Sequence, residues 1–287
     1  MSSSKFAQLE AGPIFIIGAA RSGTTWVYDI FNAHPQVAGV FESWLFTPRD
    51  GIGSFFNDAH WPPKYSGLSR TLTREELVIH AREFIAGIMS HAIEEGDRFL
   101  VEKSPSHLYQ LALILELFPD ARFIHVVRDG RDVVVSVQAA ANSWVPSWKQ
   151  TFGRSTAASA KAWHDAVRRV LRQSQELGAE HFLEIRYEAL KDDPFAGYRQ
   201  MFDFCGISYD DTILRSIFEK TDFDTNYKPG EEKFRRGGRT GDWKQVFSRR
   251  DALTFQAVAG SMLVDLGYES DGRWARIPAR KRTDANE

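Results

Sequence analysis

Pro13-Ile-Phe-Ile-Ile-Gly18-Ala-Ala-Arg21-Ser22-Gly23-Thr24-Thr25-Trp26 is the stretch whose reading decides the fold. It opens with a short, continuous apolar run that ends on glycine. An apolar run without polar alternation fits a strand buried on both faces, as in a parallel sheet. Residues 23–33 then read as a helix, stopped near His34-Pro35. Between the two, glycines leave the backbone free to wrap an anion, with several N–H groups pointing inward. The helix N-terminus adds partial positive charge, and Thr24 and Thr25 add hydroxyl donors. The stretch is therefore a candidate phosphate-binding loop.

Strand and helix signals alternate on the C-terminal side of this loop. Residues 37–41, 99–103, 122–127 and 181–187 read as strands. Residues 73–95, 106–117, 129–141, 155–177, 194–205 and 249–266 read as helices. The first of these opens on Thr73, a capping residue, with Glu75 and Glu76 in its first turn. The alternation predicts an α/β fold of three layers, a central parallel sheet flanked by helices. In such sheets ligands sit at the carboxyl ends of the strands, so the polar residues just after each strand are the ones that matter. No linker divides the chain. One domain is expected, with cap elements near 43–95 and 143–160 and a solvated basic tail over 273–287.

Composition narrows the function classes. With 287 residues and 43% hydrophobic content, the chain can build one large core. A formal net charge of −2 gives no general attraction to nucleic acid or to an anionic membrane. Cys205 is the only cysteine, which excludes an internal disulfide and a cysteine metal cluster and fits a reducing, cytoplasmic setting. The N-terminal residues are polar, and the apolar run at 13–20 is too short to span a membrane and lacks a cleavage pattern.

Two further motifs carry positive charge at structurally defined places. Arg128-Asp-Gly-Arg-Asp-Val-Val-Val-Ser136 follows the strand at 122–127, and an arginine at a strand end can clamp an anion. Arg235-Arg236-Gly237-Gly238-Arg239-Thr-Gly-Asp-Trp-Lys244 is a glycine-rich loop with three arginines. The spacing of Gly18 and Gly23 matches the glycine frame of a P-loop, yet Thr24 stands where a nucleotide triphosphatase has lysine. The cation has moved inside the loop, to Arg21, which argues against triphosphate hydrolysis.

Taken in order, these motifs resemble the sulfotransferases that use 3′-phosphoadenosine 5′-phosphosulfate (PAPS) as donor. Arg21 to Thr25 matches the family's 5′-phosphosulfate loop, basic–Ser–Gly–Thr–Thr. Arg128 and Ser136 match its 3′-phosphate pair, and residues 236–244 match its late Arg-Lys-Gly-x-x-Gly-Asp-Trp-Lys stretch. The resemblance implies a P-loop-like fold and a donor pocket made of Arg21, Ser22, Gly23, Thr24, Thr25, Arg128, Ser136 and the late loop with Arg235, Arg236, Gly237 and Gly238. It also implies adenine contacts from Trp26 and Tyr187, with Thr221 and Phe223 lining the nucleotide. Arginine at position 21, where cytosolic members carry lysine, resembles the tyrosylprotein, carbohydrate and bacterial branches. Gly237 replaces the lysine of the late motif, so Arg235, Arg236 and Arg239 all stand as holders of the 3′-phosphate.

The implied chemistry is in-line transfer of a sulfo group from PAPS to a hydroxyl or amine, releasing adenosine 3′,5′-bisphosphate. The acceptor needs a base, and the leaving phosphate needs positive charge. Glu42, just after the second strand, resembles the catalytic glutamate of the tyrosylprotein branch; His107 is the other candidate base. Lys103, at the end of a strand, resembles the family lysine that stabilises the bridging oxygen, and Arg21 would assist from the loop. No metal is expected, because fixed cations take the place of magnesium. Aromatics over 44–65, with Trp144 and Trp148, suggest an apolar or ring-bearing acceptor among small molecules, lipids, glycans and peptides. The competing classes are a P-loop small-molecule kinase, which would want lysine after Gly23, and a nucleotide-binding module without chemistry.

Overall fold

The computed structural model describes residues 3–47, 49–56, 70–222 and 238–276. Five strands form one parallel sheet: β1 (Ile14–Gly18), β2 (Val37–Phe41), β3 (Phe99–Lys103), β4 (Arg122–Val127) and β5 (Phe182–Arg186). Their spatial order is β2-β3-β1-β4-β5, which puts β1 at the centre. The helices are α1 (Ser3–Phe6), α2 (Thr24–Asn32), α3 (Arg74–Met89), α4 (Leu111–Leu117), α5 (Gly130–Asn142), α6 (Thr156–Ser174), α7 (Tyr187–Asp192), α8 (Pro194–Cys205), α9 (Asp211–Thr221), α10 (Trp243–Val246) and α11 (Arg249–Asp265). No helix among the described residues is long and apolar enough to cross a membrane. The chain divides into two compact units. One comprises Met1–Ala19, Gly23–Val127 and Arg168–Asn226, and the other Ala20–Ser22, Arg128–Val167 and Tyr227–Glu287.

The first unit holds the sheet. All five residues of β1 are buried, as the unbroken apolar run requires. The pleat sends Ile14 and Ile16 to one face and Phe15 and Ile17 to the other. On the first face, Ile14, Ile16, Val101, Ile124 and Ile185 pack with α2, α8 and α9 through Val27, Phe31, Tyr198, Phe202, Leu214 and Ile217. On the second, Phe15 meets Phe46, Phe123 and the His107 ring, with centroids 5.4, 5.9 and 6.1 Å away. These layers are the expected α/β arrangement around a parallel sheet.

Several element boundaries differ from the expectations for local physical reasons. Thr73 caps α3 with a full capping box to Glu76, but the helix ends at Met89 and gives way to a 3-10 turn over Ser90–Ala92. The single helix expected over 106–117 is split at Gln110, whose φ of −136° is not helical, into a 3-10 turn (Pro105–Tyr109) and α4. The strand expected to reach Tyr187 stops at Arg186, because Tyr187 begins α7. Helix α9 was not foreseen, although Asp210 caps it by accepting from Ile213 N at 2.8 Å.

The second unit packs α5, α6 and α11 through aromatic contacts. Trp163 lies 5.8 Å from Phe255, and Trp243 lies 5.5 Å from Trp274. Gly130 opens α5 where a Cβ would come within 2.4 Å of the Trp163 ring, so only glycine fits. Arg131 is buried between Trp243 and Trp274, at 3.9 and 4.6 Å from the ring centres, and is paired with Asp129 and Glu269. It is a structural cation, distinct from Arg128 three residues earlier.

Candidate active site

In the first unit, the carboxyl ends of β2 and β3 are in register, Phe41 opposite Lys103. Parallel pairing therefore brings Glu42, the next residue, beside Lys103. The Glu42 N–H donates to the Lys103 carbonyl at 2.8 Å, and the Lys103 ammonium donates to Glu42 Oε1 at 2.6 Å. Lys103 is only 1% exposed, whereas Glu42 is 33% exposed. The ammonium also sits 3.7 Å from the centre of the Phe41 ring. Burial pushes the Lys103 pKa below its ordinary value, against the opposing pull of Glu42, Glu102 and Asp29. Glu42 has a φ of 49°, in the left-handed region that residues with a Cβ avoid. The pair is thus a buried cation and a solvent-reachable carboxylate held in contact.

His107, the other base candidate, is arranged differently. It is fully buried in the turn after β3, with Nδ1 2.9 Å from Glu102 Oε2. Its Nε2 accepts the Phe46 N–H at 3.3 Å. Nε2 is thus hydrogen-bonded inside the protein, and Nδ1 lies against the Glu102 carboxylate without meeting hydrogen-bond geometry.

The loop after β1 has an unusual backbone. Arg21 has φ 70° and Gly23 has φ 107°. Ser22 Oγ is buried and has no hydrogen-bond partner among the described residues, a vacancy in bonding that an anion could meet. A Cβ on Gly23 would lie 2.4 Å from the Tyr187 ring. Behind Gly23, Trp26 and Tyr187 meet edge to face at 5.5 Å, and Trp26 Nε1 donates to the Thr221 carbonyl at 3.1 Å. The Thr221 hydroxyl pairs with Tyr198 and with the Ile217 carbonyl. The resemblance makes Trp26 and Tyr187 contacts of adenine and Thr221 part of the nucleotide lining; the structure brings the three together as a packed cluster behind Gly23. Gly23→Ala should therefore combine left-handed strain with a clash on Tyr187. The expected cost is about 2 kcal/mol of stability, read from denaturant unfolding, with a loss of anion binding read by calorimetry.

In the second unit, Arg21 Nε donates to Ser136 Oγ at 3.1 Å, and its guanidinium lies 5.4 Å from the Trp144 ring centre. Arg128 donates to the carbonyls of Arg21 and Arg239, at 3.4 and 2.8 Å. Asp132, in the first turn of α5, accepts the N–H groups of Gly241 and Trp243 at 2.7 and 3.0 Å. Burial raises the Asp132 pKa, and those two N–H groups oppose the rise. Asp132 thereby ties the late glycine loop, including Gly238 with φ 53°, to the helix that carries Ser136. This anchor was not read from the sequence, although its aspartate stands inside the quoted motif. Phe223, Arg235, Arg236 and Gly237 lie outside the described residues.

The chain belongs to the sulfotransferase family, whose pattern it matches over residues 13–211. It is 28% identical over 204 residues to protein-tyrosine sulfotransferase A of Caenorhabditis elegans, covering 70% of this chain and 51% of that protein. It is 25% identical over 290 residues to nodulation protein NoeE of Sinorhizobium fredii, covering 91% of this chain and 67% of that protein. It thus spans about half the length of the nematode relative. Among solved structures, mouse sulfotransferase SULT7A1 complexed with PAP superposes with a TM-score of 0.56 at 16% identity, over 96% of this chain and 93% of that one. The sulfotransferase domain of the Synechococcus olefin synthase does so with a TM-score of 0.54 at 20% identity, over 85% and 93%. These structural likenesses establish the fold: a P-loop-like α/β domain.

Proposed function

We propose that this chain transfers the sulfo group of PAPS to a hydroxyl or amine of an acceptor molecule. The observation that carries the reading is the Arg21–Ser136 contact, which joins two anion-binding motifs 115 residues apart. A donor phosphorylated at both its 3′ and 5′ positions needs two such motifs. A P-loop kinase needs one, with a lysine that this loop lacks.

The residues present fit that donor. Among the described residues the buried Ser22 hydroxyl has no partner, and Gly23 lets the Tyr187 ring pack directly against the loop backbone. In this reading Arg21, Ser22, Gly23, Thr24 and Thr25 hold the 5′ end. Arg128, Ser136 and an arginine of the late loop hold the 3′-phosphate, with Trp26, Tyr187, Thr221 and Phe223 on the adenine side. Bound PAPS supplies an electrophilic sulfo group attached to a phosphate leaving group. Glu42 takes the acceptor's proton as the acceptor oxygen forms its bond to sulfur. The sulfur–oxygen bond to the phosphate breaks, and Lys103 and Arg21 hold positive charge where that oxygen is released. His107, fully buried, with Nε2 accepting from Phe46 and Nδ1 facing Glu102, is the weaker candidate for the base.

The acceptor class spans small molecules, lipids, glycans and peptides, and one domain over 1–287 with cap elements belongs to the same reading. So does a cytoplasmic location, which is supported by the lone buried thiol Cys205.

Thermal unfolding tests the donor assignment. At about 100 times its Kd, adenosine 3′,5′-bisphosphate should stabilise the fold by about 2.7 kcal/mol, while ADP and ATP at the same concentration do much less. Preference for ATP would overturn the sulfo-transfer reading. PAPS turnover with a panel containing 4-nitrophenol, a tyrosyl peptide and a glucosamine oligosaccharide then addresses the acceptor.

A further inference from the structure

We infer that Glu102 and His107 are positioning residues, a buried carboxylate–imidazole pair that clamps the backbone after β2 and so sets Glu42 against Lys103. The inference rests on the reading of Glu42 as the base. Glu102 precedes Lys103 on β3, and the pleat sends the two side chains to opposite faces. One face of the strand end thus carries the cation of the site, and the other carries the clamp.

Glu102 is fully buried. Its Oε1 accepts from Ser43 N at 3.2 Å, Ser43 Oγ at 2.8 Å and Ser104 Oγ at 2.6 Å. Its Oε2 faces His107 Nδ1. Because His107 Nε2 accepts the Phe46 N–H, the imidazole proton lies on Nδ1, toward the carboxylate. Ser104 Oγ in turn accepts the Trp44 N–H at 3.2 Å. The backbone N–H groups of residues 43, 44 and 46 therefore all end on this one cluster.

That segment needs such a clamp. Both Glu42, with φ 49°, and Trp44, with φ 57°, hold left-handed backbone. Residues with a Cβ persist there only where their surroundings over-determine the conformation. Without the hydrogen bonds on 43, 44 and 46, the segment would relax toward extended backbone and carry the Glu42 carboxylate off the Lys103 ammonium. Burial raises the Glu102 pKa, but the adjoining His107 ring and the hydrogen bonds from Ser104 and Ser43 more than offset it. Glu102 is thus held below its ordinary range, as an anion that accepts from Ser43 and Ser104.

The test combines amide exchange with kinetics on the full chain. In Glu102→Gln and His107→Ala, amide exchange over 43–47 should speed up about tenfold or more, while affinity for adenosine 3′,5′-bisphosphate stays within about twofold. Turnover of PAPS, with the panel acceptor or with water, should fall about 10- to 100-fold, the size expected for a misplaced catalytic group. In a Glu42→Gln background, Glu102→Gln should add less than about twofold, because a residue that acts through Glu42 has nothing left to position. His107→Gln, whose amide can both accept from Phe46 and donate to Glu102, should restore protection and most turnover. Unchanged exchange over 43–47, equal turnover losses in both backgrounds, or a parallel loss of nucleotide affinity would each overturn the proposal. If Glu42→Gln keeps full turnover while Glu102→Gln speeds exchange, the base reading fails and the clamp loses its catalytic consequence. Should Glu102→Gln fail to fold, Ser104→Ala, which removes the Trp44 contact, takes its place in both measurements.

Discussion

Glu42→Gln is expected to lower kcat for PAPS turnover by about 10²- to 10⁴-fold, the span usual for loss of a general base, while leaving affinity for adenosine 3′,5′-bisphosphate nearly unchanged. The substitution isolates proton transfer. Glutamine has the same length, and its amide oxygen can still accept from the Lys103 ammonium, now 2.6 Å from Glu42 Oε1. What it cannot do is take a proton. The carboxylate is reachable, at 33% exposed, whereas Lys103 beside it is buried. Full turnover in the variant would overturn the assignment. A matching loss of nucleotide affinity would mean that Glu42 serves to hold Lys103 in place.

The loop around Gly23 and the strand ends were legible because they follow from local chemistry. An apolar pentad ending on glycine reads as a buried strand on sight, and β1 occupies Ile14–Gly18. Val37–Phe41, Phe99–Lys103 and Arg122–Val127 were readable for the same reason, as short apolar runs between turn residues. Lys103 and Glu42 stood out because polar residues at the carboxyl ends of parallel strands have few other reasons to be there. Their mutual contact was not legible, because it depends on β2 pairing with β3 in register, and nothing local in either strand states that partner. The Glu102 clamp was hidden for a related cause. Ser43, Glu102 and His107 become neighbours only after the sheet forms, and nothing local in β3 states what Glu102 will meet. Asp132 was overlooked since a first-turn aspartate normally complements the helix dipole; here it instead holds Gly241 and Trp243.

Arg21→Ala is expected to weaken binding of both PAPS and adenosine 3′,5′-bisphosphate by about 10²-fold or more, about 3 kcal/mol for a charge-assisted hydrogen-bonded cation, and to abolish turnover with it. Two contacts orient the guanidinium: the Ser136 hydroxyl at 3.1 Å and the face of Trp144 at 5.4 Å. The backbone supports the same view. Arg21 holds φ 70°, a conformation that glycine would adopt without strain. An arginine retained at such a position is there for its side chain. Alanine meets the same backbone strain as arginine, so the loss in Arg21→Ala reports the charge and not the loop. Arg21→Gly separates the two further: it should raise the melting temperature by relieving the strain and still fail to bind the donor. Arg21→Lys should recover part of the affinity, since it restores the charge but not the planar fork that reaches Ser136. Calorimetry with adenosine 3′,5′-bisphosphate reads all three. Binding by Arg21→Ala within about threefold of the unmodified chain, a difference of well under 1 kcal/mol, would remove Arg21 from the donor site.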